Sequence, residues 1–118
     1  MSTMPGSESA APRTTGLRAM EHDELLEAAE LIEQLAESST RGQWQRRGLL
    51  ATRPEIVARR ADGSTEHVAE ARAGSVRWIS TLSPAIAPAL AGWLRSAACQ
   101  DGQLDPNALS LARELLGR

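Results

Sequence analysis

Apolar and acidic positions follow a helical period over residues 21–39. The apolar positions recur at i, i+3 and i+4 spacing and are Leu25, Ala28, Ala29, Ile32, Leu35 and Ala36, widened by Leu26 and Leu31. The opposite face carries only acids among its charged residues, namely Glu24, Glu27, Glu30, Glu33 and Glu37. This pattern predicts an N-terminal amphipathic helix that begins near residue 21 and ends in the polar run 38–42.

Residues 55–71 predict a β-hairpin, because two alternating segments flank the turn dipeptide Asp62-Gly63. A two-residue type I′ loop needs positive φ at both of these residues. It pairs Ala61 with Ser64, Arg59 with Glu66, Val57 with Val68, Ile56 with Ala69 and Ala58 with His67. Since an isolated hairpin is marginal in water, we expect a third strand from residues 43–50. Trp44 would open this strand and close one end of the core.

Three C-terminal segments read as helices. Residues 72–82 place Val76, Ile79 and Leu82 on one side, with Trp78 near it. Ser83-Pro84 is a helix start, and the segment after it has a stripe of Ile86, Leu90, Trp93, Leu94 and Ala97. Pro88 within this segment predicts a kink or a helix proper that begins near it. Asp105-Pro106 starts a last helix over 106–116, with Gly117 past its end.

These elements predict an α+β fold with an N-terminal helix, a short antiparallel hairpin or three-stranded meander, and two or three C-terminal helices. The chain has 118 residues, which suits one small domain. Residues 1–19 are polar and rich in small residues, Pro and Gly, so we expect a disordered tail there. The predicted organisation is therefore a tail over 1–19 and a single small α+β domain over 20–118.

The net charge, the cysteine count and the lengths of the apolar runs exclude several classes of function. The net charge is −2, so the whole molecule is not a polycation for nucleic acid. The single cysteine permits no intramolecular disulfide and suits a reducing cytoplasm. No apolar run is long enough to span a membrane, and the N-terminus lacks the apolar segment of a secretory signal. We expect a cytoplasmic protein without membrane contact.

The sequence contains few candidate catalytic, metal-binding or phosphate-binding residues. His22, His67 and Cys99 lie in three different elements and have no metal-ligand spacing. Ser83 before Pro84 is explained as a helix cap, and no glycine-rich phosphate loop occurs. We therefore expect no catalytic residue, no metal and no cofactor, and we predict that the protein is not an enzyme.

An arginine-rich segment over residues 41–60 is the one charge feature that points to a ligand. Glu55 is the only acidic residue in this segment. The candidate nucleic-acid-binding residues are Arg41, Trp44, Arg46, Arg47, Arg53, Arg59 and Arg60. Such a segment can follow a phosphate backbone, with one ring for stacking. The favoured alternative is that these arginines pair with the acidic helix, either within the fold or across a homodimer.

The order of these signals resembles a group of small proteins of actinobacteria and of their phages and prophages. Those proteins have an acidic helix, an Ala-Thr-Pro-Gly-Pro-Trp signature, a short hairpin and a Ser-Pro segment leading into a Leu-Ala-x-Trp-Leu helix. Here STRGQW over 39–44, RWIS over 77–80, Ser83-Pro84 and LAGWL over 90–94 take those places. Arg41 and Gln43 replace the two signature prolines. The resemblance implies a cytoplasmic accessory protein of phage or mobile-element character and no catalytic residue.

Sequence and resemblance together favour a small non-enzymatic protein that acts by protein–protein binding or self-association, with a homodimer as the expected form. The alternative is a nucleic-acid-associated regulator that uses the 41–60 arginines. A small enzyme is the least favoured of the three.

Overall fold

The computed structural model describes residues 5–48 and 53–118, with side chains from residue 16 onward. Its elements in chain order are α1 (Pro5–Ser38), β1 (Gln43–Arg47), β2 (Glu55–Arg59), β3 (Thr65–Glu70), α2 (Ala73–Thr81), a 3-10 turn (Pro84–Ile86), α3 (Ala87–Cys99) and α4 (Pro106–Leu116). The protein has an α+β fold with an N-terminal helix and a three-stranded antiparallel sheet. The predicted fold class is therefore confirmed, with the meander as the form of the sheet.

The start of α1 differs from the prediction. The backbone is helical from Pro5, whereas we expected a disordered tail over residues 1–19. Residues 1–4 lie outside the described residues. Once a helix has formed, most further residues add a hydrogen bond at little cost, although Pro12 within this extension has no N–H to donate. Residues 16–20 are exposed. Whether the first nineteen residues can be removed from the domain stays a prediction.

The chain divides into two compact units. Unit 1 comprises Met1–Ile32 and Leu90–Arg118, and unit 2 comprises Glu33–Ala89. The boundaries fall within α1 and within α3. That residues 20–118 form a single domain remains a prediction.

The core of unit 1 consists of small residues from three helices. Its buried members are Leu25, Ala28, Ala29, Ala91, Leu94, Ala97, Leu104, Ala108 and Ala112. Six of these nine are alanines, so little side-chain volume separates the helices. The predicted stripe of α1 is confirmed at its first three positions, but Leu35 is exposed. In α3, Ala91 is buried instead of Trp93, whose side chain is 42% exposed.

The predicted helix ends in the C-terminal segment are confirmed. Asp105 accepts a hydrogen bond from the Asn107 backbone N–H at 2.9 Å, as an N-cap does. Gly117 ends α4 in the left-handed conformation with φ 73°. α3 begins at Ala87, which places Pro88 in the first turn, where a missing N–H costs no helical hydrogen bond.

The sheet of unit 2 has the order β1-β2-β3, and α2 lies against β1 and β2. The buried residues Ile56 and Ala58 of β2 and Val76 of α2 form its apolar interior. The third strand is confirmed, although β1 ends at Arg47 and residues 49–50 lie outside the described residues. Trp44 is only half-buried, and its Nε1 donates to the carbonyl oxygen of Thr40 at 3.0 Å.

The hairpin turn is not the predicted type I′ turn. The Gly63 N–H donates to the Arg60 carbonyl at 2.9 Å, and the Arg60 N–H donates to the Ser64 carbonyl at 2.8 Å. Gly63 has φ +86°, while no described non-glycine residue has positive φ. The loop therefore has three residues, a type I turn followed by a left-handed glycine. The Asp62 carboxylate accepts from the Ser64 N–H at 2.9 Å, which holds this form.

The longer loop changes the strand register by one residue near the turn. Arg59 pairs with Thr65, Ala58 with Glu66 and Val57 with His67, so the predicted Arg59–Glu66, Ala58–His67 and Val57–Val68 pairs are wrong. An irregularity between Ile56 and Val57 then shifts the register back. Such a bulge places one extra residue in one strand. The predicted Ile56–Ala69 pair is for this reason confirmed.

Candidate functional site

Two of the seven candidate nucleic-acid-binding residues form ion pairs with carboxylates of the sheet. Arg47 Nη2 lies 2.9 Å from Glu55 Oε1, and Arg60 forms an ion pair with Glu66. His67 Nδ1 lies 2.6 Å from the other oxygen of Glu55. These hydrogen bonds, from His67 first and then from Arg47, lower the pKa of the Glu55 carboxyl. Arg47 and Arg60 are therefore less available to phosphates than the sequence suggests.

The other four arginines of the segment are exposed and form no ion pair with any described residue; they are Arg41, Arg46, Arg53 and Arg59. Successive residues of a strand point to opposite faces of the sheet. Arg46 therefore shares the face of Trp44, whereas Arg59 lies on the other face. The structure thus distributes the candidate residues over both faces of the sheet instead of gathering them on one surface.

The acidic face of α1 has partners in unit 1 that sequence reasoning missed. Arg113 Nη2 lies 3.0 Å from Glu24 Oε1, and Arg118 Nη2 lies 3.0 Å from Glu27 Oε1. The hydrogen bond from Arg113 lowers the pKa of the Glu24 carboxyl. Because these residues are far apart in sequence, no i,i+4 rule could have paired them. Pairing of α1 with the 41–60 arginines across a homodimer stays a prediction.

The two units carry charge of opposite sign. Unit 2 holds eight arginines against six carboxylates, while unit 1 holds five arginines against nine carboxylates. Although the whole chain has a net charge of −2, residues 33–89 of unit 2 carry more positive than negative charges. A local excess of this kind can attract an anionic partner even when the whole chain is acidic.

The outer face of α2 and the residue after the helix expose two large apolar side chains, which together are called the α2 face. Trp78 is 70% exposed and Leu82, one helical turn later, is 46% exposed. Val76, two residues before Trp78, is buried. Because two residues correspond to about 200° around a helix, Trp78 lies on the side opposite Val76. The prediction that Trp78 lies near the side of Val76 is therefore wrong, and Leu82, predicted on that side, is half-exposed instead of buried.

A groove of about 500 Å³ lies within unit 2. One wall comes from the end of α1 and the residues after it, and the other from the 3-10 turn and the start of α3. Its lining residues are Glu33, Ala36, Glu37, Thr40, Arg41, Gly42, Pro84, Ala85, Ala87 and Pro88. Small apolar side chains from both walls are thus accompanied by two carboxylates and one guanidinium. Sequence reasoning missed this groove, because its walls are separated along the chain by the whole sheet and α2.

The residues considered for catalysis or metal binding stay apart. His67 contacts Glu55, Cys99 is exposed at the end of α3, and the Ser83 hydroxyl accepts from the Ala85 N–H at 3.4 Å, consistent with its predicted capping role. Among the described residues, no three His, Cys, Asp or Glu side chains are grouped so that they could hold a metal ion. In the same part of the chain, no helix is both long and apolar enough to cross a membrane.

Comparison with known protein families, with curated proteins and with solved structures finds no match for this chain.

Proposed function

We propose that this protein is a non-enzymatic binding protein that self-associates, and that the α2 face forms the contact. The observation that carries the proposal is the 70% exposure of Trp78, with Leu82 also exposed one turn away. Tryptophan is enriched at the centres of protein interfaces and contributes much of their binding energy. Removing one large apolar side chain from water contributes about 2–3 kcal/mol.

A second copy of the chain is the occupant we favour. In a two-fold contact the same patch is used twice, so one exposed Trp78 per chain becomes two buried rings per dimer. Arg77 precedes Trp78 and is exposed, which gives this apolar patch the polar rim that interfaces have. The proposal places this protein in the cytoplasm, in the phage or mobile-element context that the resemblance implies.

Sedimentation over a range of protein concentrations tests the proposal. The wild-type chain should change from monomer to dimer as concentration rises, and Trp78→Ser should raise the dissociation constant at least tenfold. Trp93→Ser is the matched control, because Trp93 is also exposed (42%) but belongs to unit 1. A wild-type chain that stays monomeric at all concentrations would contradict self-association, and an equal effect of both substitutions would contradict the role of α2.

A second candidate function is association with nucleic acid. It is favoured by the positive charge of unit 2 and by the exposed Arg41, Arg46, Arg53 and Arg59, which form no ion pair with described residues. Binding to a phosphate backbone should weaken steeply as salt rises, because counterions are released. The test is fluorescence anisotropy with a labelled duplex and a labelled single strand, comparing wild type with Arg46→Gln. Absence of binding to both probes at low salt would remove this candidate.

A further inference from the structure

We infer that the groove of unit 2 receives Trp78 of a second copy, so that two reciprocal contacts close a two-fold dimer. This inference rests on the proposed self-association and names the surface that receives the apolar side chain. Three independent features support it: the size and lining of the groove, the charges beside it, and its position in the chain relative to α2.

The groove suits an aromatic ring. Its volume of about 500 Å³ is within the range of about 300–1,000 Å³ that ligand pockets have. Ala36, Pro84, Ala85 and Pro88 line it with short apolar side chains. An indole ring placed there would exchange water for carbon contacts on both walls, which favours association.

The charges beside the ring and the groove are complementary. Arg77 is adjacent to Trp78, and Glu37 lines the groove. Neither side chain forms an ion pair with any described residue, so both can accept a partner from another copy. Arg41 also lines the groove, and its repulsion of Arg77 favours an orientation in which Arg77 lies on the glutamate side. Such pairs set the register of an interface more than its strength.

The donor face and the receiving groove are adjacent along the chain. Leu82, the last exposed apolar residue of the α2 face, is followed at once by Ser83 and by Pro84, which lines the groove. A two-fold interface needs each copy to give and to receive within one patch. A contact in which each copy supplies Trp78 and accepts the partner's Trp78 meets this requirement.

The groove is tested by filling it. Ala85→Gln places a longer side chain on its wall and should raise the dimer dissociation constant at least tenfold in sedimentation experiments. Ala19→Gln is the control, since Ala19 is an exposed alanine of α1 in unit 1. Circular dichroism melts of both variants show whether the fold is intact.

A charge exchange tests the orientation. Arg77→Glu and Glu37→Arg should each raise the dissociation constant about three- to tenfold at low salt, because each places like charges together. The double variant should return to within about twofold of wild type, since both pairs of the dimer are restored with reversed sign. If the wild type dimerises but Ala85→Gln has no effect and the double variant shows no rescue, the groove is not the receiving surface and self-association stands. A monomeric wild type would instead contradict both proposals.

Discussion

Replacement of Gly42 by alanine should destabilise the protein more than the same replacement at Gly63 or Gly92. Gly42 directly precedes β1 and has φ +117°, a conformation that residues with a side chain rarely adopt. A Cβ added there would lie 2.8 Å from the carbonyl oxygen of Arg59 and 3.1 Å from its carbonyl carbon. Both atoms are backbone atoms of β2, so a side-chain rotation cannot relieve the contact.

The expected cost has two parts. A non-glycine residue in such a strained backbone conformation costs about 1–3 kcal/mol. Relief of the contact must then move β1 away from β2 near the Gln43–Arg59 pair, which weakens strand hydrogen bonds worth about 0.5–1.5 kcal/mol each. The sum is about 2–4 kcal/mol, a large part of the roughly 5–15 kcal/mol that stabilises a typical domain.

Alanine substitutions at two other glycines, measured by urea unfolding, distinguish the cost of the backbone conformation from the cost of the contact with β2. Gly63 has φ +86° but open space around its Cα, so Gly63→Ala should cost only the backbone term, about 1–2 kcal/mol. Gly92 lies within α3, also in open space and without positive φ, so Gly92→Ala should stabilise the protein by about 0.5–1 kcal/mol.

The order of the three variants is the critical result. If Gly42→Ala costs no more than Gly63→Ala, the close approach of residue 42 to β2 does not exist in solution. If Gly92→Ala destabilises the protein, α3 does not have the regular helical backbone described above.

Three further predictions concern the helices. Deletion of residues 1–19 should leave the free energy of unfolding nearly unchanged, because this segment is mostly small and polar and its described residues 16–19 are exposed. A large loss in a thermal melt would show that the segment packs on the domain. Asp105→Ala should cost about 0.5–2 kcal/mol in urea unfolding, since it removes the N-cap of α4, and no loss would mean that water caps the helix equally well. The pKa of Glu24 is lowered in the folded state by Arg113, so their pair stabilises the fold above the ordinary carboxyl pKa of 4.5 and loses this contribution as pH falls through the lowered value. Arg113→Gln should therefore reduce the dependence of melting temperature on pH below 4.5, and an unchanged pH profile would contradict the pairing.

The local elements could be predicted from sequence because their signals act over a few residues. Asp105-Pro106 and Gly117 specify the ends of α4 locally, because the Asp105 carboxylate caps the first turn and Gly117 adopts the left-handed conformation after the last. Proline is tolerated best in the first turn of a helix, so Pro88 predicted either a kink or a helix start near it, and α3 takes the second form. The third strand followed from the need to complete an otherwise marginal hairpin.

Features that depend on competition between similar energies could not be predicted. Asp62-Gly63 suits both a type I′ loop and a three-residue loop, and the choice depends on the hydrogen bonds that Ser64 makes. In α3 the stripe could place either Ala91 or Trp93 in the core, and packing against alanines of α1 and α4 decided for Ala91.

The candidate surfaces were the least predictable part. Trp78 lies in an amphipathic segment where hydrophobicity alone suggests burial, yet it is the most exposed of the large apolar residues in the described part of the chain. The groove joins segments that are more than forty residues apart, Glu33–Gly42 and Pro84–Pro88. Long-range placement of this kind has no periodic signal in the sequence.

Because the core of unit 1 is rich in alanine, we expect it to tolerate substitutions that remove atoms better than substitutions that add them. A buried alanine has a single methyl group to lose, so truncation leaves a small void, whereas each added methylene strains the helices around it. Single-nucleotide changes of an alanine codon give Val, Thr, Ser, Pro, Gly, Asp or Glu, and only Ser and Gly add little or no volume. At the six core alanines, purifying selection should therefore act mainly against gained atoms. Drift there should be confined to exchanges among the smallest residues.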